Sequence, residues 1–392
     1  MLTSLAVILL LGMFLGGIFD KLRLPSLVGM IIAGIIVGPH GLNLLSKPLI
    51  DVSGDLRQFA LIIILTRAGL SLDVEDLLKA GRPAVLLCFL PACAEILGVV
   101  VLAPPIFGIS VVEAAIMGAV IAAVSPAVVV PRMLKLLEEG YGKEHRIPQM
   151  ILAGSSMDDI FVIVMFTAFI SLEVSGSVSA SSFAQIPISI GTGIAIGILV
   201  GIIINRFYSE LKLRNTVELI VMLCVSFLLL ELEHVASKVV PISALLAIMS
   251  MGMVINRKNP NLASKLANKY NKIWVGADVM LFVLVGATVD MKYVMASGGL
   301  ACILVVGALL FRMVGVLLCL VKTKVRKNER AFCMLAYTPK ATVQAAIGAI
   351  PLSMGLPCGQ VVLTVAVVSI LLTAPFGAFI IDKTYKKLLT RT

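Results

Sequence analysis

The chain has 392 residues, of which 59% are apolar and only 14% charged, with a formal net charge of +10. Soluble domains carry about a quarter charged residues, and disordered chains lack this apolar content, so both classes are excluded. Apolar runs of about 20 residues recur from end to end, the length a helix needs to cross a bilayer. The 32 glycines suit close helix–helix packing in lipid.

Thirteen runs follow in chain order: 2–19, 25–45, 56–72, 83–105, 111–135, 149–172, 183–205, 216–233, 239–255, 272–289, 298–321, 329–354 and 359–381. The first lacks a basic n-region and a small-x-small cleavage site, so it reads as a retained helix. The runs are too long and too uniformly apolar for barrel strands, and short connections leave no room for an inserted soluble domain. The seven Cys lie mostly within the runs, without a CxxC spacing. They read as small buried side chains rather than disulfides or metal ligands.

The basic residues test this count. With the N-terminus outside, the inside loops, the span ends beside them and the C-terminal tail hold 25 of the 32 Lys and Arg, against 4 on the outside. A wrong number of spans would scramble that alternation, so thirteen crossings with a cytoplasmic C-terminus are expected. The positive charge then marks a membrane face, and nucleic acid is not an expected partner.

Span 5 contains Ser125-Pro126-Ala127-Val128-Val129-Val130-Pro131, and span 12 contains Thr338-Pro339-Lys340-Ala341-Thr342-Val343. Each places a hydroxyl residue and Pro at mid-span. Proline removes an N–H and clashes with the preceding turn, so a break is expected in both. The offset of seven spans is odd, so the two would cross in opposite directions. Spans 1–6 and 8–13 then read as inverted six-helix repeats joined by span 7, with a transporter site near the midplane.

Charges inside a bilayer are costly and usually functional or paired. At about 1.5 Å per residue, Glu95 of span 4, Asp158 and Asp159 of span 6, Arg312 of span 11 and Lys340 of span 12 share one mid-membrane level. Adjacent helical residues diverge by about 100°, so the two Asp do not form a protease-type dyad that shares a proton. They suit a hard monovalent cation collecting oxygens from several helices. Carbonyls near Ser125 and the hydroxyls of Ser155, Ser156 and Thr338 are candidate further ligands. Lys340 is placed to neutralise carboxylates or the carbonyl end of a half-helix. Glu95 and Arg312 occupy corresponding spans and are expected to pair. Arg67 and Asp278 read as snorkelling or entrance residues, Glu113 and Glu218 as solvated span starts, and His40, His145 and His234 as loop or end residues without a metal.

Gly154-Ser155-Ser156-Met157-Asp158-Asp159 following Ser125-Pro126 resembles the two-aspartate branch of the monovalent cation:proton antiporters. The string Thr338-Pro339-Lys340-Ala341-Thr342-Val343-Gln344-Ala345-Ala346 is similar to its NHA subgroup of sodium/proton exchangers. Leu65-Thr66-Arg67-Ala68-Gly69-Leu70 and Gly34-Ile35-Ile36-Val37-Gly38-Pro39 fit the same pattern, and the likeness runs through nearly the whole chain. The resemblance implies an all-α polytopic membrane protein with crossed discontinuous helices, working as an elevator-type homodimer. Residues 1–82 and 216–297 would form the dimerisation scaffold, 83–182 and 298–392 the ion-transport core, and 183–215 a linker. It further implies Asp159 as chief carrier of sodium and proton, Asp158 as its assistant, Glu95–Arg312 as an ion pair and Lys340 as the basic residue at the helix breaks. Many members of the branch carry Lys near the position of Arg312, where it is linked to electrogenic exchange. Arg stays protonated and does not carry a transported proton, a departure that puts two protons per sodium in question.

The expected activity is sodium (or lithium)/proton antiport, not enzymatic, without a cofactor, in a bacterial-type inner membrane. A sodium-coupled solute symporter with similar crossed helices would need more polar groups for an organic substrate. A potassium/proton antiporter is chemically close, but the eleven residues after span 13 make a soluble nucleotide domain unexpected. An intramembrane hydrolase lacks a Ser–His pair at one depth.

Overall fold

The computed structural model describes residues 1–22, 24–71, 81–175, 180–211, 215–236 and 242–391. Regular structure among them is helical apart from one backbone bridge, Tyr141 to Arg391. In chain order the helices are α1 (Leu2–Lys21), α2 (Ser26–Val37), α3 (Lys47–Asp51), α4 (Ser53–Ser71), α5 (Arg82–Leu87), α6 (Leu90–Phe107), α7 (Val111–Ala122), α8 (Pro126–Glu139) and α9 (Ile147–Ser175). They continue as α10 (Ala180–Leu211), α11 (Asn215–Ala236), α12 (Ala244–Lys258), α13 (Pro260–Ala287), α14 (Met291–Cys319), α15 (Lys327–Ala336), α16 (Thr342–Ile347), α17 (Ile350–Ser353) and α18 (Gly359–Leu388). Each of the thirteen apolar runs holds helix. Among the described residues, eight helical stretches are long and apolar enough by themselves to cross a membrane. Rows of exposed Leu, Ile, Phe and Met, such as Leu10, Met13 and Phe14 of α1 or Ile303, Val306 and Leu310 of α14, give surfaces suited to lipid.

Where helices and runs differ, the chemistry is local. Span 2 stops at Val37, because the residue before Pro39 is pushed to extended backbone, as Gly38 is at ψ 173°. Span 4 is split at Cys88 and Phe89, where Pro91 cannot donate to Leu87. Pro351 likewise withholds an N–H from Ile347 and separates α16 from α17. Helix α13 begins twelve residues before the expected start of span 10. Pro260 fits the first turn, and the Asn259 side chain caps the Leu262 N–H at 3.1 Å. Most of 256–271 is therefore helix rather than loop.

The chain forms two compact units, residues 1–54, 75–166 and 279–392 in the larger and 55–74 and 167–278 in the smaller. In the smaller, Gly193, Gly197 and Gly201 recur every four residues along α10, facing Ser243, Ala247 and Met251. A Cβ at Gly197 would collide with the Ala247 carbonyl, so the stripe lets α10 and α12 approach at backbone distance. In the larger unit, Gly154 leaves no room for a Cβ between α9, Tyr337 and Leu87, which brings α9 against the interrupted helix α15–α16. Around that junction lies an apolar core that includes Val124, Val129, Ile151, Val316, Phe332 and Tyr337.

Three readings of side-chain environment are corrected. Glu113 is buried, since its carboxylate accepts the Ser110 N–H at 2.8 Å while Ser110 accepts from Glu113 N at 3.1 Å, a closed capping box. Glu218 is also buried rather than solvated, and its carbonyl accepts the Tyr208 hydroxyl. All seven Cys are free thiols, but Cys224 and Cys302 are exposed on helix surfaces instead of buried.

Candidate functional site

Both hydroxyl–Pro sequences interrupt a helix. Between α7 and α8, residues Ala123, Val124 and Ser125 are non-helical, with Ala123 and Ser125 extended, and Pro126 supplies the first residue of α8. Between α15 and α16 the non-helical stretch is Tyr337 to Ala341. The interruptions touch directly, with Ser125 N–H donating to the Pro339 carbonyl at 2.8 Å. Each break frees backbone groups that must be satisfied inside the protein.

The five mid-depth charges divide around this crossing. Glu95 of α6, Asp158 of α9 and Lys340 have no exposed surface, and Arg312 of α14 has 1%. Asp158 Oδ2 accepts Arg312 Nη2 at 2.7 Å and the Val124 N–H at 2.8 Å. Glu95 Oε2 accepts Arg312 Nη1 at 2.9 Å and Lys340 Nζ at 2.6 Å. Two carboxylates and two cations thus form a neutral chain in the order Asp158, Arg312, Glu95, Lys340. Burial of charge in this way is tolerable only where each charge faces one of opposite sign, as all four do here.

Arg312 does more than close an ion pair. Its Nε donates to the Tyr337 carbonyl at 2.7 Å, Nη1 also donates to the Ala122 carbonyl, and the guanidinium lies 5.5 Å from the Tyr337 ring centre. It therefore caps the carbonyl ends of both α7 and α15, which carry the negative helix-dipole charge. Lys340 N–H donates to Thr373 Oγ1 at 2.9 Å, which pins the second break to α18.

Asp159 is partly buried and lies one residue on, about 100° round the helix from Asp158. Ser155, one turn before Asp158, is buried and its hydroxyl donates to the Leu152 carbonyl at 3.2 Å. Thr338 Oγ1 donates to the Leu335 carbonyl at 2.8 Å. Both hydroxyls keep lone pairs for a cation. Among the described residues Asp158 Oδ1 and Ser125 Oγ are buried without a hydrogen-bond partner, which is the chemistry an oxygen-seeking cation requires. The side chain of Ser156 lies outside the described residues.

Three site residues are not identifiable from sequence: Tyr337, Thr373 and Gln344. Gln344 lies within the Thr-Pro-Lys string, but neutral amides carry no depth signal comparable to a buried charge.

Away from the crossing, Arg67 Nη1 donates to Asn271 Oδ1 at 3.3 Å and its guanidinium lies 5.2 Å from the Trp274 ring centre, within the smaller unit. His145 Nδ1 lies 2.9 Å from Glu329 Oε2, so it is tied to α15 rather than free in its loop.

Known proteins place this geometry in context. The family model described as "Sodium/hydrogen exchanger, transmembrane" matches residues 6–386. Sodium/hydrogen exchanger 9B1 of Mus musculus is 32% identical over 409 residues, covering 98% of this chain and 71% of that protein. Sodium/hydrogen exchanger 9B2 of Homo sapiens is 32% identical over 388 residues, covering 94% and 70%. Among solved structures, the sodium proton antiporter MjNhaP1 from Methanocaldococcus jannaschii superposes with a TM-score of 0.84 over 99% of this chain and 98% of that one, at 20% identity. That likeness speaks to the fold. With a family match over almost the whole length and relatives near one-third identity, this all-helical membrane chain belongs to the sodium/hydrogen exchanger family.

Proposed function

We propose that the chain is a secondary active sodium (or lithium)/proton antiporter that exchanges the two ions at Asp159 and Asp158 by alternating access. The observation that carries this is the buried crossing of two broken helices, where the second carboxylate oxygen of Asp158, in the buried ion chain, and the Ser125 hydroxyl lack partners. A carboxylate there holds either a proton or a hard cation, and the two then compete for one site. Arg312, Lys340 and Glu95 balance the field and satisfy the broken backbone. Arg312 retains its proton, so it acts as a fixed counter-charge. Ser125, Ser155 and Thr338 are proposed as additional sodium ligands.

The thirteen apolar runs and the distribution of Lys and Arg favour thirteen crossings in two inverted six-helix repeats, with the N-terminus outside and the C-terminus cytoplasmic in an inner membrane. On the motif resemblance, the proposed working form is a homodimer in which residues 83–182 and 298–392 move as an elevator against a scaffold of 1–82 and 216–297, with 183–215 as linker.

Reconstitution into proteoliposomes loaded with a pH dye tests the activity. Sodium and lithium are expected to drive proton flux while an organic anion does not, and parallel runs with potassium and with an imposed potential fix the ion range and stoichiometry. Absence of sodium-dependent flux would overturn the reading. Orientation is tested by single cysteines in a Cys-free background. Positions in 132–148, 256–271 and 322–328 are expected to resist a membrane-impermeant reagent in intact cells, because these segments carry the basic excess. Labelling of 256–271 from outside would reverse the assigned topology.

A further inference from the structure

We infer that Gln344 is a positioning residue that sets sodium affinity by holding the peptide unit that binds Asp158. The inference rests on the antiport reading. Gln344 is 1% exposed and uses both ends of its amide. Its Oε1 accepts the Ala341 N–H at 2.8 Å, capping the start of α16. Its Nε2 donates to the Ala123 carbonyl at 2.8 Å and the Ile121 carbonyl at 3.3 Å, at the end of α7. Only one orientation of the amide satisfies all three partners. One side chain therefore joins both helix breaks.

The Ala123 carbonyl and the Val124 N–H belong to one planar trans peptide unit, so they point in opposite directions. Gln344 grips the carbonyl end, and the N–H end donates to Asp158 Oδ2 at 2.8 Å. Fixing the oxygen fixes the donor. A hydrogen bond accepted by a peptide oxygen also strengthens the bond its N–H makes, since chained bonds polarise one another. Gln344 thus acts on Asp158 through one peptide, without touching a transported ion. Arg312 takes the intervening Ala122 carbonyl and the second bond to Asp158 Oδ2, so the aspartate is held by two donors that both depend on the end of α7.

The alternative role is that of a plain helix cap. Glu and Gln serve equally as the third residue of a capping box, so Gln344→Glu keeps the acceptor for Ala341 and removes the donor to Ala123. Gln344→Leu removes both. In reconstituted full-length protein, both variants are expected to raise KM for sodium about tenfold, the scale of one lost buried hydrogen bond, with kcat within about threefold of wild type. A Gln344→Glu variant with wild-type KM would reduce Gln344 to a cap and overturn the inference. So would a fall in kcat with KM unchanged, or loss of the monodisperse fold in both variants, because a positioning residue leaves the helices assembled. Wild-type protein without sodium-dependent flux would instead refute the antiport reading, so the two failures are distinguishable in the same assay.

Discussion

Asp159→Asn is expected to reduce sodium-dependent proton flux to the background of empty vesicles while the protein keeps its fold. A neutral amide matches the shape of the carboxylate but cannot alternate between a proton and a cation. Asp158→Asn is expected to impair exchange less. Asp158 Oδ2 is already engaged by Arg312 at 2.7 Å and Val124 N–H at 2.8 Å, which leaves its other oxygen for an ion. An amide oxygen at that position can still accept from Val124, although Arg312 loses half of its counter-charge. Asp159 lies on another side of α9, about 100° round the helix from Asp158, and is proposed to exchange proton for cation there during the cycle. Dye-loaded proteoliposomes separate the two variants. Wild-type flux in Asp159→Asn would remove it as the carrier, and equal loss in both would assign the carrier role to the pair.

Much of this site is legible in the sequence because a bilayer makes charge rare. Glu95, Asp158, Arg312 and Lys340 stand out at mid-span, and Ser125-Pro126 and Thr338-Pro339 mark breaks through proline chemistry alone. Their partners are less legible. Depth along a helix is readable at a fixed rise per residue, but rotation about the axis depends on packing. That Arg312 bridges Asp158 and Glu95, leaving Lys340 on Glu95, follows from how α6, α9 and α14 meet. Gln344, Thr373 and the Tyr337 carbonyl are ordinary polar groups until the crossing brings freed backbone next to them. Helix ends diverge for a related reason. Hydropathy marks only the apolar part of a helix, whereas α13 starts well before it, where Asn259 and Pro260 supply capping chemistry.

Arg312→Gln is expected to be the most destabilising single change in the site. It leaves Asp158 and Glu95 short of charge, and the carbonyls of Tyr337 and Ala122 lose their donor. Breaking one partner out of a buried pair costs about 3–5 kcal/mol, and here two pairs break together. Glu95→Gln should cost about as much as one pair, because Arg312 keeps Asp158 while Lys340 loses its counter-charge. The four-membered chain then fixes which second change compensates. For an isolated Glu95–Arg312 pair, the Glu95→Gln/Arg312→Gln double variant would recover most of the loss. In the chain, that double variant leaves Asp158 and Lys340 charged but not in contact. Glu95→Gln/Lys340→Gln instead removes one acid and one base at the end of the chain and leaves Arg312 on Asp158 intact. Thermal unfolding of the purified protein should therefore show clear recovery in Glu95→Gln/Lys340→Gln and little in Glu95→Gln/Arg312→Gln. The reverse order would mean that Lys340 is not bonded to Glu95. If the recovered double variant exchanges sodium with an unchanged pH profile, Glu95 and Lys340 are a strut; a shifted profile with restored stability makes them part of the field that sets competition between proton and sodium at Asp158 and Asp159.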